Sequence, residues 1–146
     1  MVSHLDGPFE ILKEAFRVVK SGGLVGIFDG DYASMTFGQE DSEKAKELDE
    51  LIVSAMVTSP QVMRQKPRIF QAVELEVVDC FPYVLAEVGE IDFWKPGIES
   101  LRMFLPKSGA MTEGEANKFA DGLVKDSERG IFFGASNFYA YIGRRP

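Results

Sequence analysis

Apolar residues recur at helical spacing near the start of the chain and then form an almost unbroken run. The helical stripe consists of Phe9, Leu12, Phe16 and Val19. The run Leu24–Phe28 is typical of a strand covered on both faces, as in parallel α/β sheets. We therefore predict a helix that begins at Asp6, whose side chain caps the free amides, with Pro8 in its first turn. The strand follows, with a turn at Asp29–Tyr32 at its carboxyl end.

Helical patterns continue through the middle of the chain. Acidic residues open a predicted helix over 39–57, which carries a helical stripe of apolar residues. Pro60 and Pro67 each suit the first turn of a short helix, so a broken helix is expected there. A further helix rich in large apolar groups is predicted over 92–105, and Pro106 is expected to end it.

Strand patterns occur in the second half of the chain. Residues 75–78 and 83–88 alternate well enough to predict one long bent strand, in which Pro82 forces an edge, a bulge or a break. Thr112 and Glu115 form a capping box, the signature of a helix N-terminus. Alternation over 131–142 then predicts a final strand with one apolar and one aromatic-polar face.

Composition narrows the class of protein. The 146 residues include 23 acids and 16 bases, a net charge of −7, and an acidic protein is repelled by nucleic acids and anionic membranes. No apolar run reaches membrane-spanning length and no signal segment is recognisable, so we expect a single cytoplasmic domain over residues 1–146. The one cysteine, Cys80, is predicted to be a buried strand residue, and no metal site is expected.

Several stretches of the sequence resemble class I S-adenosylmethionine-dependent methyltransferases, especially the small-molecule kind. In that family a helix ends in a phrase such as Arg-Val-Leu-Lys-Pro-Gly-Gly, and a hydrophobic fifth strand that ends in an acid follows. The counterparts here are Arg17–Gly23, the apolar run at 24–28 and Asp29. Residues 3–5 look like the loop after the family's fourth strand, and 132–141 look like its seventh strand.

The resemblance covers essentially the whole chain and implies a fold. It implies an α/β class, namely a partial Rossmann-like methyltransferase half with about three strands in a mixed sheet and several helices. The implied strand order is five, seven, six, with the last strand of the chain in the middle. It also implies S-adenosylmethionine as the cofactor.

The family's cofactor motifs are missing from this sequence. The family binds the cofactor with a Gly-x-Gly-x-Gly turn after strand one and an acid after strand two, and neither is present. We therefore expect no cofactor binding by this chain alone. We also expect a bare apolar edge on the strand at 24–29, because strands one to four have no counterpart. A homo-oligomer formed through that edge, or a partner chain that supplies the N-terminal half, would cover it.

Residues for the acceptor substrate are predicted where strands end. Ligands of α/β sheets gather at the carboxyl ends of parallel strands, which places Asp29, Asp31 and Tyr32 at the mouth of a site. The alternative is a plain Asp-Gly-Asp turn. Asn137 and Tyr139 are further candidates because they lie on the polar face of the final strand, with core packing as their alternative.

Two single residues complete the candidate site. His4 is the only histidine, so it is a candidate general base, and the resemblance places it beside the cofactor; the alternative is an ordinary loop histidine. Glu87 interrupts an apolar strand end and is a candidate to bind an amine or hydroxyl group of the substrate. Its alternative is a solvent-facing position.

Two functional hypotheses follow. The first is a methyltransferase-like protein that retains the acceptor-substrate half of the fold and is inactive alone, becoming an S-adenosylmethionine-dependent enzyme only with a partner or by dimerisation. A truncated gene, one part of a split enzyme and a cloned fragment all fit this hypothesis. The second is a non-catalytic oligomeric module that binds a small apolar ligand or a partner protein.

Overall fold

A computed structural model describes residues 2–5 and 7–146 of the chain. The predicted helix cap at Asp6 lies outside the described residues. The α-helices are α1 (Pro8–Val18), α2 (Ser42–Met56), α3 (Lys66–Ala72), α4 (Lys95–Lys107) and α5 (Glu113–Glu128). Short 3-10 helices occupy Val2–His4 and Val62–Gln65. The strands are β1 (Leu24–Phe37), β2 (Glu76–Gly89) and β3 (Phe132–Arg144).

The three strands form one sheet in the order β1-β3-β2, and the predicted α/β class is confirmed. Gly22 near the start of β1 donates to the carbonyl of Arg145 at 2.8 Å, and Gly38 after its end donates to Phe133 at 2.9 Å. β1 and β3 are therefore antiparallel. We predicted a mixed sheet, which contains both parallel and antiparallel pairs. That prediction was wrong, because β3 lies between the other two strands and is antiparallel to each of them. The correspondence with strands five, seven and six stays a prediction.

β1 continues well beyond the predicted turn. Asp29, Gly30 and Asp31 are strand residues and all three are buried. The prediction of a turn at Asp29–Tyr32 was wrong because both carboxylates find donors inside the structure, which removes the need for a solvated turn. Tertiary pairing has overridden a turn-forming sequence.

Four prolines bear on the helix predictions. Pro8 lies in the first turn of α1, as predicted, behind a left-handed Gly7. Pro67 lies in the first turn of α3, whereas Pro60 lies in a turn ahead of the second 3-10 helix. Pro106 does not end its helix, because α4 runs on to Lys107. A proline in the last turn of a helix therefore allows the helix to end one residue later.

Strand β2 is a single edge strand, as predicted, and it contains Pro82. The prediction that Cys80 is buried was wrong, since its side chain is exposed. An edge strand has a neighbour on one side only, and no residue from 79 to 84 is buried. The exposure of Cys80 therefore follows from the edge position of β2 in the sheet, and that position cannot be predicted from the sequence of the strand alone.

The chain divides into two compact units, each described by itself. Unit 1 contains the residues up to Ala33, Val57–Val84 and Asn137–Pro146. Its core consists of Leu12, Phe70, Val73 and Leu75, with Phe16, Val25, Ile27, Ile69 and Tyr141 packed against it. Helices α1 and α3 therefore cover the face of the unit 1 sheet that carries Val25, Ile27 and Tyr141. The prediction of a single domain stays a prediction.

The other face of the unit 1 sheet is apolar and open to solvent. Alternation along β1 places Leu24 and Phe28 opposite the core, and each is 60% exposed. Phe28 stacks on Phe138 of β3, with ring centroids 5.7 Å apart. On β2, Val77 and Phe81 are exposed as well. We call Leu24, Phe28, Phe138, Val77 and Phe81 the outer sheet face.

Unit 2 contains Ser34–Met56 and Leu85–Ser136, and its helices pack on one another. Helix α4 contacts both α2 and α5. The buried apolar residues include Phe37, Ile52, Trp94, Leu101, Leu105, Leu123 and Phe132. Phe37 and Trp94 meet edge to face at 5.4 Å, so aromatic rings form part of this core. The capping box that opens α5 is confirmed: Thr112 Oγ1 accepts from the Glu115 amide, and Glu115 accepts from the Thr112 amide at 2.8 Å.

Removing the Thr112 hydroxyl should destabilise the protein through α5. We expect Thr112→Ala to lower the free energy of unfolding by about 1 kcal/mol, because the amide of Glu115 loses its acceptor. Urea denaturation measures the change, and Thr58→Ala, at an exposed non-helical position, is the matched control. Equal losses for the two variants would contradict a stabilising cap.

Candidate functional site

Unit 1 contains a group of polar side chains, most of them buried, which we call the polar cluster: Ser3, Asp29, Asp31, Arg64 and Lys66. Asp29 and Asp31 lie on β1 two residues apart, so alternation gives them the same face as the core residues Val25 and Ile27. Arg64 comes from the 3-10 helix Val62–Gln65 and Lys66 from the start of α3. All members except Arg64 are buried.

Asp29 is held by backbone and hydroxyl donors. Its Oδ2 accepts from the Ser3 amide at 2.9 Å and from Ser3 Oγ at 3.0 Å, and its Oδ1 accepts from the Gly30 amide at 2.9 Å. Burial works to raise the pKa of Asp29, but the hydrogen bonds that it accepts, including those from the Ser3 and Gly30 amides, outweigh burial and lower it. Asp29 is therefore a carboxylate at neutral pH.

Asp31 forms an ion pair with Arg64. Arg64 Nε lies 2.9 Å from both carboxylate oxygens, and a terminal guanidinium nitrogen lies 2.9 Å from Oδ2. The Arg64 side chain is half exposed, whereas that of Asp31 is buried. Hydrogen bonding to Asp31 raises the pKa of Arg64, which keeps the guanidinium charged. The pair joins the second 3-10 helix to β1.

Two aromatic residues lie beside the cluster. The rings of His4 and Tyr32 meet edge to face at 5.5 Å, and His4 is exposed. Burial raises the pKa of the Tyr32 hydroxyl, the charge of Asp29 adds to this effect, and a hydrogen bond with Ser3 opposes it. The structure thus brings the predicted residues His4, Asp29, Asp31 and Tyr32 together within unit 1.

Asn137 and Tyr139 of β3 belong to the same unit and are half buried. Tyr139 acts electrostatically on Arg64, and its ring lies 6.4 Å from that of Tyr141. Burial, together with the neighbouring Cys80, Tyr139 and Asp31, raises the pKa of Tyr141 to about 12. The phenol of Tyr141 is therefore neutral at physiological pH. Tyr139 and Tyr141 extend the polar cluster along β3.

Glu87 is placed differently, in unit 2. Its carboxylate accepts from the backbone amides of Asp92, Phe93 and Trp94 at 3.1, 2.6 and 3.3 Å. These amides lie just ahead of α4, where a helix leaves donors without internal partners. Glu87 was predicted either to bind substrate or to face solvent. The structure shows a third arrangement, in which its side chain caps the start of α4.

Lys66 is the most unusual member of the cluster. Its side chain is 0% exposed, and its Nζ has no hydrogen-bond partner within the part of the chain that the structure describes. Burial lowers the pKa of Lys66 to about 8, and the charge of Asp29 works in the opposite direction. A buried ammonium without an acceptor is costly, so this residue calls for an explanation.

Sequence reasoning missed Ser3, Arg64 and Lys66. A signal existed for Lys66, since Val62, Lys66 and Phe70 recur at helical spacing and share one buried stripe. A lysine in that stripe is anomalous. Ser3 and Arg64 gave no comparable signal, because each acts on an acid that lies far away in the sequence.

Unit 2 also carries an open groove of about 1120 Å³. Leu48, Leu51 and Phe119 line it together with charged residues such as Lys44 and Asp126. Small-molecule pockets usually measure about 300–1000 Å³, so this groove is slightly larger than such pockets. None of the predicted site residues, all of which the structure describes, lines it.

The described residues do not fit the cofactor implied by the resemblance. A cofactor site of that kind needs a glycine turn against the N-terminus of a helix. Among the left-handed glycines of the described chain, Gly7 alone directly precedes a helix, and the following Pro8 has no N–H to offer. No group of three or more metal-ligating side chains occurs among residues 2–5 and 7–146.

The comparisons with known proteins rest on structure. No protein-family model matches the sequence, and no curated protein sequence is similar to it. A solved structure from Bacillus halodurans C-125, described as a putative methyltransferase, is similar with a TM-score of 0.56 and 11% sequence identity. The match covers 99% of this chain and 61% of that chain.

The class that the comparison supports is a methyltransferase-like α/β fold. At 11% identity the likeness shows the fold alone. This chain spans 61% of the length of the protein it matches, so the remaining part of that protein has no counterpart in the sequence given. Among the described helices, none has the length and hydropathy that a membrane span requires.

Replacing Lys66 should stabilise the protein. We expect Lys66→Met to raise the free energy of unfolding at pH 7 by about 1–3 kcal/mol, because an unpartnered ammonium is replaced by an apolar group of similar length. Chemical denaturation measures the difference between the two proteins. Lys13→Met, at an exposed position of α1, is the control.

The advantage of Lys66→Met should also depend on pH. The folded-state pKa of Lys66 is about 8 against an ordinary 10.5, so the unfolded chain binds more protons between these values. The wild-type protein therefore becomes more stable relative to Lys66→Met as pH rises from about 8 to 10.5. Below pH 8 the difference in free energy of unfolding between the two proteins is largest and does not change with pH. A gap independent of pH would contradict a buried, titrating amine.

Proposed function

We propose that this chain is the acceptor-side half of a methyltransferase-like fold and does not transfer methyl groups by itself. The observation that carries the proposal is the structural match, which takes in 99% of this chain but only 61% of a protein described as a putative methyltransferase. The sequence motifs of the cofactor site are missing, and the described residues do not supply a substitute.

The polar cluster and the neighbouring Tyr32, Asn137 and Tyr139 form our proposed acceptor site. Asp29, Asp31 and Tyr32 offer oxygen atoms on β1, and Asn137 and Tyr139 offer polar groups on β3. In an enzyme completed by its other half, these groups would orient a small acceptor for in-line transfer, in which positioning supplies most of the rate. S-adenosylmethionine would supply the methyl group when bound. His4, exposed beside Tyr32, is the proposed residue nearest to that cofactor.

The outer sheet face is our proposed contact with the missing half. Leu24 and Phe28 are each 60% exposed and Phe81 is 54% exposed, an amount of apolar surface that usually marks an interaction site. β1 is also an edge strand of the sheet. A polypeptide that pairs with β1 and lays an apolar layer over the outer sheet face would cover both features.

Titration calorimetry tests the cofactor part of the proposal. We expect S-adenosylmethionine and S-adenosylhomocysteine to produce no saturable heat with the purified chain, even at concentrations that detect millimolar affinity. The physical reason is that, among the left-handed glycines of the described chain, only Gly7 leads directly into a helix, and Pro8 there has no N–H to offer. Saturable binding of either compound would sink the half-fold interpretation, because it would show a complete cofactor site.

Sedimentation velocity tests the proposed contact surface. We expect the purified chain to self-associate weakly, because its outer sheet face exposes apolar surface to water, and Phe28→Glu to abolish this association. Val18→Glu is the matched control, since Val18 is 62% exposed on α1 and outside the outer sheet face. A monomeric wild type, or association that survives Phe28→Glu, would contradict the assignment.

A non-catalytic binding module is the second candidate. The groove in unit 2 favours it, because apolar and charged residues line an open groove of about 1120 Å³ that includes none of the proposed acceptor residues. The same sedimentation experiment separates the candidates. A tight dimer that survives dilution favours the binding module, whereas weak association favours a half fold that awaits a different partner.

A further inference from the structure

Lys66 has no task in the function proposed above. The acids of the polar cluster are supplied with donors: Asp29 by Ser3 and Gly30, and Asp31 by Arg64. The ammonium of Lys66 is not supplied with an acceptor by any residue among 2–5 and 7–146. The polar cluster therefore lacks one hydrogen-bond acceptor, and the group that needs this acceptor is the buried ammonium of Lys66.

We propose that Lys66 Nζ anchors a carboxylate group of the small-molecule acceptor. The inference rests on the proposed function, because it places the acceptor at the polar cluster. A carboxylate would give the ammonium both a negative charge and hydrogen-bond acceptors. In a buried position, where the effective dielectric constant is low, such a charge-assisted pair is stronger than at the surface.

The charge of Asp29 selects the type of anion. Asp29 is buried, is a carboxylate, and acts electrostatically on Lys66. A carboxylate beside Lys66 carries one negative charge, which Asp29 repels. A phosphate dianion carries two negative charges and is repelled about twice as strongly. We therefore assign the site to a carboxylate and expect phosphate to bind more weakly.

Access to Lys66 requires a local opening, because its side chain is fully buried. The nearby 3-10 helix Val2–His4 is a short element, and Ser3 ties it to Asp29 and, through its carbonyl, to the amide of Ser59. Binding that waits for such an opening is slower than diffusion allows. A saturable but slow response to a small carboxylate is the expected behaviour.

The test uses acetate and inorganic phosphate as probes on the full chain, with chloride at matched ionic strength as the reference. Calorimetry and thermal unfolding should show saturable acetate binding, with phosphate at least several-fold weaker. Lys66→Met should weaken acetate binding at least tenfold. Lys13→Met removes an exposed charge of the same sign and should leave acetate binding unchanged.

A spectroscopic measurement keeps the test independent of how the variant folds. In wild-type protein labelled on lysine with ¹³C and ¹⁵N, acetate should shift the Cε and Nζ signals of Lys66 saturably and leave those of Lys13 in place. Absence of a saturable shift at Lys66, or equal acetate binding by wild type and Lys66→Met, would overturn the inference. Tighter binding of phosphate than of acetate would overturn the choice of carboxylate.

These outcomes are separable from those of the proposed function. The acetate experiment involves neither S-adenosylmethionine nor self-association, so its failure would leave the half-fold proposal standing with a differently anchored acceptor. Saturable cofactor binding would instead overturn the half-fold proposal while leaving acetate binding at Lys66 intact.

Discussion

The burial of two carboxylates on one strand governs unit 1. Asp29 and Asp31 face the covered side of β1, and each is kept there by donors from other elements: Ser3 of the first 3-10 helix and Arg64 of the second. A buried carboxylate without partners would be strongly destabilising. These bonds therefore tie two short segments to β1, and they keep β1 extended where its sequence favours a turn.

The sequence predicted the regular elements well where the signal was local. The Thr112–Glu115 capping box, the proline at the start of α3 and the long β2 all depend on neighbouring residues, and the structure contains each of them. The position of the last strand in the middle of the sheet was also expected from the resemblance. Local physical chemistry was sufficient in these cases, since no distant residue had to be known.

The failures share a physical cause as well. The continuation of β1 through Gly30, the exposure of Cys80 and the isolation of Lys66 each depend on what packs against the residue from far along the chain. The Asp-Gly-Asp sequence favours a turn by local propensity, but pairing of β1 with β3 makes it part of a strand. The candidate site was predicted in part for the same reason: the acids and the tyrosines were found from strand patterns, whereas the cations that neutralise or face them lie on elements that carried no motif.

The exposed thiol of Cys80 makes the molecule easy to observe. The chain contains one cysteine, it is accessible, and it lies beside Tyr141 at the margin of the polar cluster. A thiol-reactive fluorophore would therefore attach at one known position without any engineering. Its emission would report on the surroundings of β2 whenever a small molecule or another polypeptide arrives, so the native chain already contains its own labelling site.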